Sequence, residues 1–571
     1  MKKRWKVTPA NKELQEVLGK ELNILPITAQ LLINRGLVEP DKAFSFLRPE
    51  LKDLHDPFLF KDMERSAERI IEAIRAGEKI AVFGDYDVDG TTSTALVYLF
   101  FKEIGVEATC YIPERQSEGY GLNSPALKKL RDSGISLVIT VDCGVSNSAE
   151  VAYANSLGMD IIISDHHEIE SALPEAYGIL NPKQSGCAFP FKLLAGVGVA
   201  FNLIMALRAR LREDGWFKGE IPNLKRYLDL VAVGTVADLV PLVDENRILV
   251  SYGLKELERG GRVGLKALMD ASGIKPGKLD TDNIAFQLAP RINAAGRLTS
   301  ATLALKLLVT EDAAEGASLA ESLNRENASR QKIEEETLQQ ALGMLGDGRE
   351  MGIVLASEGW NPGVIGIVAS RLADRFGKPA VMIALEGDCG KGSARGVKAF
   401  NILEGLKACS HLLAKYGGHK AAAGLTISRD NIEKFKGEFL EFLDNEIADE
   451  DLTPEILLDA IVSLDEVDLK LIAEIEKLAP FGASNREPLL CVTDAHIIAT
   501  EIVGSRHLRL KVRQKGQNSL NCIGFGLAPL HPIKGGGYGI AFSPFIDEWQ
   551  GGKNLKLRIK DVKAECVKFL T

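Results

Sequence analysis

Five short apolar runs are separated by stretches of helical character: KIAVF from Lys79, VEATCYI from Val106, SLVITVD from Ser136, DIIISD from Asp160 and YGILNP from Tyr177. Near-continuous apolar strands need cover on both faces, and the intervening helices supply it. The alternation, which continues to about residue 240, therefore predicts a buried parallel sheet wound β-α-β. In such a sheet, ligands gather beyond the carboxyl ends of the strands. KIAVF runs out into Asp85, Asp87 and Asp89, SLVIT into Asp142, and DIIIS into Asp165, His166 and His167. The helical run LDLVAVGTVADLVPL adds Asp238.

Taken singly, an Asp after a strand is a helix cap or a turn residue, and a His–His pair is a surface or core feature. Taken together, the carboxylates pose an energetic problem. Two like charges about 4 Å apart repel by roughly 4 kcal/mol at an effective dielectric near 20. Divalent cations remove that cost. Oxygen ligands with one or two imidazoles suit manganese or magnesium better than a thiolate-bound zinc.

The rest of the chain is of ordinary globular make-up, 571 residues of which 46% are hydrophobic and 26% charged. A net charge of −9 excludes a polybasic nucleic-acid binder, so any polyanion must meet local basic patches. Eight scattered cysteines with no CxxC pair read as reduced thiols. No secretory leader or membrane-length apolar run is visible, which predicts a soluble cytoplasmic protein without membrane contact. Residues 1–60 read as an N-terminal helical region, and 306–345 as one long charged helix joining two α/β regions, 61–305 and 346–450. Residues 451–571 carry several strands and glycine turns and suggest a small barrel or sandwich. There, HLRLKVRQK alternates Leu508, Leu510 and Val512 with Arg509, Lys511 and Arg513. KNLKLRIKD does the same with Leu555, Leu557 and Ile559 against Lys556, Arg558 and Lys560. A period of two places the cations on one face, predicting a positive outer surface for nucleic acid. Phe545 and Trp549 read as core residues before stacking ones.

The segments DYDVDG, TVDCGVS, SDHH and GTVADLVPL resemble the four motifs of the DHH phosphoesterase superfamily. More closely, IPERQSEGYGLN, APRINAAGR, GVIGIVASR and GGHKAAAG resemble the RecJ family of single-strand-specific 5′ exonucleases, over nearly the full length. The resemblance implies an α/β multidomain chain: a parallel-sheet DHH domain, the connecting helix, a DHH-associated domain and a C-terminal OB-like barrel. It implies two Mn²⁺ or Mg²⁺ ions held by Asp85, Asp87, Asp89, Asp142, His166 and Asp238. Asp87, Asp142, His166 and His167 are the implied catalytic residues, with Asp165 fixing a ring. Arg115, Arg291, Asn293, Arg297, Ser393, Arg395, Gly418 and His419 are the implied substrate contacts, joined by Arg509 and Lys511 on the barrel. Arg291 and Arg297 read as flanking a small flexible turn. Position 361 is Asn where the family usually has His, so no proton transfer is assigned to it.

The implied activity is 5′→3′ hydrolysis of single-stranded DNA to 5′-mononucleotides, in recombination and repair, by a monomer working with a single-strand-binding protein and a helicase. A cleft between the two α/β domains, its gap set by the long helix, would exclude duplex. Two other readings remain: a DHH phosphodiesterase of short oligonucleotides or cyclic dinucleotides, and a non-catalytic single-stranded-DNA-binding scaffold. The extra C-terminal segment argues against the first, and the complete acidic set against the second.

Overall fold

The computed structural model describes residues 3–114, 118–169, 172–275, 277, 279–298, 300–346, 350–448, 452–514, 519–547, 552 and 554–564. Among these, no helix is long and apolar enough to cross a membrane. The chain divides into two compact units, one built mainly on Glu321–Ile456 and the other on Trp5–Ile292 and Leu457–Thr571.

In the larger unit the five apolar runs form a parallel sheet of strands β1 (Lys79–Gly84), β2 (Ala108–Tyr111), β3 (Ile135–Val141), β4 (Asp160–Ser164) and β5 (Gly178–Leu180). The spatial order is β2-β1-β3-β4-β5. β1, β3 and β4 are buried almost throughout, as their unbroken apolar sequences require. The chain moves outward from β1 to β2, then returns to β1's other side as β3. That reversal is a topological switch point, where a crevice opens beyond the strand ends. The acidic segments after β1 and β3 both emerge there.

Three helices build around this edge: α1 (Val88–Glu103), α2 (Gly196–Glu213) and α3 (Leu228–Ala237). All three are buried along most of their length, and α3 packs on α1 and α2.

The C-terminal strands of the same unit form a closed ring. β12 (Leu490–Val503) pairs antiparallel with β13 (His507–Arg513) and also with β15 (Gly535–Asp547). β14 (Leu520–Gly524) pairs with β13, and parallel to β16 (Asn554–Ala564), which pairs with β15. One parallel pair in an otherwise antiparallel five-membered ring is the connectivity of an OB fold. A short strand, β11 (Ala460–Ile461), adds to β12 outside the ring.

The N-terminal helices Lys12–Leu22, Pro26–Ile33 and Pro40–Leu47 have no core of their own. Leu18, Leu31, Leu32 and Phe46 belong to one buried cluster with Leu490, Val492, Leu508, Leu510, Phe542 and Leu557 of the ring. Arg247 ties these parts together. Fully buried, it donates to the backbone carbonyls of Phe46, Lys477, Leu478, Ala479 and Pro480, and its guanidinium lies 3.9 Å from the Phe46 ring centroid.

The smaller unit holds a mixed sheet of order β9-β10-β8-β7-β6: β6 (Ile353–Glu358), β7 (Ala380–Glu386), β8 (Cys389–Arg395), β9 (Leu413–Gly418) and β10 (Ala422–Ser428). Only β6 and β7 run parallel.

Two expectations are corrected. The stretch 306–345 is not one helix: Thr302–Val309 ends at Thr310, and a separate helix runs Ala313–Met344. The break is a turn in which the Asp312 carboxylate accepts the Glu315 N–H at 2.8 Å, an N-capping contact. The segment PRINAAGR is not a turn but part of the helix Ala289–Leu298, entered through a π-helical turn Ile284–Leu288. Its alanines favour helix, which outweighs the single Gly296.

Candidate active site

The first carboxylates are placed by the β1–α1 junction. Asp87 is the N-cap of α1, its carboxylate accepting the Gly90 N–H at 3.0 Å. Asp89 lies in the first turn, turned inward. It accepts from the Gly196 and Val197 amides that open α2, at 2.6 and 2.8 Å. Asp142 sits just past β3 with φ of +62°, a left-handed conformation that Asp tolerates better than most residues, and its N–H donates to Ser164 on β4 at 2.9 Å. Asp238 is the C-cap of α3.

These groups converge. His166 Nε2 lies 3.1 Å from Asp142 Oδ1, 3.6 Å from Asp238 Oδ2 and 3.9 Å from Asp89 Oδ2. Three sets of ligand atoms, Asp85–Asp87–Asp142, Asp89–His166–Asp238 and Asp142–His166–His167, are each gathered within 4.8 Å. Asp142 Oδ1 and His166 Nε2 are buried and make no hydrogen bond. A lone pair on each, aimed at shared space among oxygens, is what a hard divalent cation needs. All six expected metal ligands therefore stand in one cluster, and the residues present fit Mn²⁺ or Mg²⁺.

Electrostatics carry the same message. Burial, then Asp89, Asp87, Asp85 and Asp238, push the Asp142 carboxyl well above its ordinary range. Burial, Asp238 and Asp87 do the same to Asp89, and burial and Asp87 push Asp238 up to about 7. Burial and the neighbouring His167 hold the His166 ring down at about 4, leaving it neutral and able to ligate. A cation would reverse this frustration.

Asp165 accepts from the Val145, His166 and His167 amides and lies 2.7 Å from the His167 Nδ1. Burial lowers the His167 ring's affinity for a proton, but the bond and charge of Asp165, with Asp238 and Asp89 behind it, raise its pKa to about 9. The pair fixes the ring with Nε2 outward.

Two neighbours were not picked out from the sequence. Tyr120 Oη lies 3.3 Å from His167 Nδ1 and from the Asp142 carbonyl oxygen. Lys183 acts electrostatically on His166 and Asp238. Lys183 follows β5, so the strand-end rule applied to YGILNP reaches it; Tyr120 has no such signal. Leu239, next to Asp238, is 71% exposed with φ of +57°, a strained conformation for Leu.

Three family models match in chain order: the DHH family N-terminal domain at 79–235, the DHHA1 domain at 350–449 and the RecJ OB domain at 458–561. The single-stranded-DNA-specific exonuclease RecJ of Bacillus subtilis is 39% identical over 98% of this chain and 71% of its own length. The Escherichia coli protein of the same name is 34% identical over 96% of this chain and 98% of its own. The chain belongs to the RecJ family. The crystal structure of RecJ from Thermus thermophilus in complex with Mn²⁺ superposes with a TM-score of 0.85 at 30% identity, covering 99% of this chain and 80% of that one. Its Mg²⁺ complex gives 0.80.

The residues that the RecJ motifs mark for substrate fare unevenly. Arg115 and Trp549 lie outside the described residues, as does the Arg297 side chain. Arg291 and Asn293 are half-buried on the helix Ala289–Leu298, Arg291 donating to the Gln287 carbonyl at 2.7 Å.

In the smaller unit, Arg395 Nη1 donates to Ser393 Oγ at 2.9 Å and Nε to Ser370 Oγ at 3.0 Å. The helix Ile365–Phe376 opens over this pair with no side-chain cap. A Cβ at Gly366 would meet Ser393 Oγ and Arg395 Nη2 at 2.9 Å. The Val364, Ile365 and Ile367 amides donate to the Asn361 and Val364 carbonyls, so the guanidinium and the hydroxyls are the groups here suited to an anion. Asn361 uses its side chain locally, accepting the Gly363 N–H at 2.7 Å. Gly418 has φ of +144°, and His419 closes a turn with Ala422.

On the ring, Leu508, Leu510 and Val512 are buried and Arg509, Lys511 and Arg513 exposed, as the alternation predicts. The second cationic strand is corrected. β16 is separated from β13 by β14, so the two do not form one continuous positive face. Lys556 pairs with Asp547, and Arg558 with Glu487 at 3.4 Å while lying over the Phe545 ring, whereas Lys560 is exposed, and on β13 Arg509 pairs with Glu501 at 3.0 Å. The face of β13 instead gains an aromatic pair. His507 and Phe525 meet edge-on at 5.1 Å, with Phe525 60% exposed.

Proposed function

We propose that this chain is a divalent-metal-dependent exonuclease that hydrolyses single-stranded DNA from the 5′ end, releasing 5′-mononucleotides. The observation that carries the reading is the acid–imidazole cluster at the switch point, with Asp142 Oδ1 and His166 Nε2 facing each other at 3.1 Å and neither hydrogen-bonded. Bound Mn²⁺ or Mg²⁺ supplies charge neutralisation at the scissile phosphate and an activated water.

The chain's own residues do the rest. Asp85, Asp87, Asp89, Asp142, His166 and Asp238 hold and orient the hard-cation sites. His167, held by Asp165, presents Nε2 as a donor to the departing oxygen. Lys183 adds positive charge beside the phosphate. The Ser393–Arg395 pair, a guanidinium among hydroxyls, suits a terminal phosphate and supports 5′ recognition. Arg509, Lys511 and Arg513 with Phe525 supply charge and a stacking face for a single strand. A monomer acting in the cytoplasm in recombination and repair, fed by a helicase and a single-strand-binding protein, completes the proposal.

The test uses single strands labelled at the 5′ or the 3′ end, digested with Mn²⁺, Mg²⁺ or chelator. Labelled mononucleotide from the 5′-labelled strand at the earliest times, absent with chelator, is expected. A ladder of shortened strands still carrying the 5′ label would contradict the polarity.

A further inference from the structure

Helix α2 begins on the metal centre. Its first two amides, of Gly196 and Val197, donate to the two carboxylate oxygens of Asp89. Its N-cap residue, Ala195, makes no side-chain cap. Asp89, from a different helix, takes that place and is held from both oxygens. The same Gly196 faces a second carboxylate. A Cβ there would lie 2.6 Å from Asp142 Oδ1, 2.8 Å from its Cβ and 2.9 Å from its Cγ.

Helix α3 closes from another side. A Cβ at Gly234 would lie 2.9 Å from Asp89 Oδ1 and 2.9 Å from Val197 Cγ1, and would overlap the Thr92 hydroxyl. Neither glycine has a positive φ, so what each provides is space. Gly234, inside α3, costs about 1 kcal/mol relative to alanine, a cost that close approach to a functional group explains, while Gly196 opens α2.

We propose that Gly196 and Gly234 are positioning residues of the metal centre: by lacking a side chain they let two helices close on Asp89 and Asp142, and so set how tightly those carboxylates hold a divalent cation. This rests on the metal-centre reading above. A methyl at either position must displace a carboxylate whose useful placement is fixed to a fraction of an ångström. Altering groups that orient metal ligands typically weakens metal binding about 10- to 100-fold.

The test is a Mn²⁺ titration of the full chain, following the electron paramagnetic resonance signal of free aqueous Mn²⁺. Wild type is compared with Gly196→Ala, Gly234→Ala and Gly198→Ala. Gly198 lies on the same helix, but a Cβ there meets Leu194 Cδ2 at 3.1 Å and no carboxylate. Gly196→Ala and Gly234→Ala are expected to bind Mn²⁺ about 10- to 100-fold more weakly. Gly198→Ala is expected to bind like wild type, and all four to share the same circular dichroism in chelator at a temperature below each one's melting transition. Should one alanine unfold the apo chain, the other carries the comparison. Wild-type affinity in both variants overturns the proposal, as does equal weakening in Gly198→Ala. A wild-type chain that binds no Mn²⁺ would instead remove the metal centre itself, which keeps the two failures apart.

Discussion

Asp165 accepts from three backbone amides and one imidazole, and the charge it keeps is directed at His167. Asp165→Asn removes that charge and leaves the ring free to turn. The expected outcome is a kcat about 10- to 100-fold lower, with KM for the strand little changed, measured by steady-state release of mononucleotide. Glu245 makes a different kind of prediction. It is fully buried, accepts the His55 N–H at 2.6 Å, and burial pushes its carboxyl up from 4.5 to about 7. The folded chain therefore holds that proton more tightly than the unfolded chain. As pH rises from about 4.5 to about 7 the unfolded state releases it first, so this residue's contribution makes stability fall across that window. Glu245→Gln is expected to flatten the slope, measured by urea unfolding at several pH values. The residues of the acid–imidazole cluster were legible because each follows a strand or ends a helix in a recognisable pattern. Tyr120 was not, because a tyrosine in a loop looks the same whether it faces water or a histidine.

At the scale of elements, β13 carries the nucleic-acid prediction. Phe525→Ala is expected to weaken single-strand binding by about 1–3 kcal/mol, the usual worth of one stacked base. Lys511→Ala is expected to reduce the slope of log affinity against log salt by roughly 0.7, that of one phosphate contact on a single strand. Fluorescence anisotropy of a labelled oligonucleotide without metal measures both. The alternation in HLRLKVRQK was readable because a period of two maps directly onto the two faces of a strand. That β16 lies two strands away, with Lys556 paired to Asp547 and Arg558 to Glu487, was not, because the order of strands in the ring decides it. The helix Ala289–Leu298 was misjudged for a related reason. Small residues read as flexibility, yet alanine is the strongest helix former.

At the scale of the molecule, the N-terminal helices and the C-terminal ring share one core, which no local pattern announces. A fragment beginning at Leu457 loses Leu18, Leu31, Leu32 and Phe46 from that core. It is expected to expose apolar surface and melt without a cooperative transition, checked by calorimetry and dye binding. Arg247→Met strips hydrogen bonds from the carbonyls of Phe46 and of Lys477 to Pro480, and each orphaned buried group costs about 1–3 kcal/mol. The parallel sheet, by contrast, was legible, since near-continuous apolar strands alternating with helices need cover on both faces, whereas its strand order comes from the structure alone.

The decisive measurement pairs Mn²⁺ binding with cleavage in wild type and Asp142→Asn, using a 5′-labelled single strand. The account predicts two Mn²⁺ per wild-type chain with metal-dependent release of the labelled mononucleotide, and loss of both tight binding and release in the variant. Cleavage that persists in Asp142→Asn, or in wild type with every divalent ion removed, would contradict it.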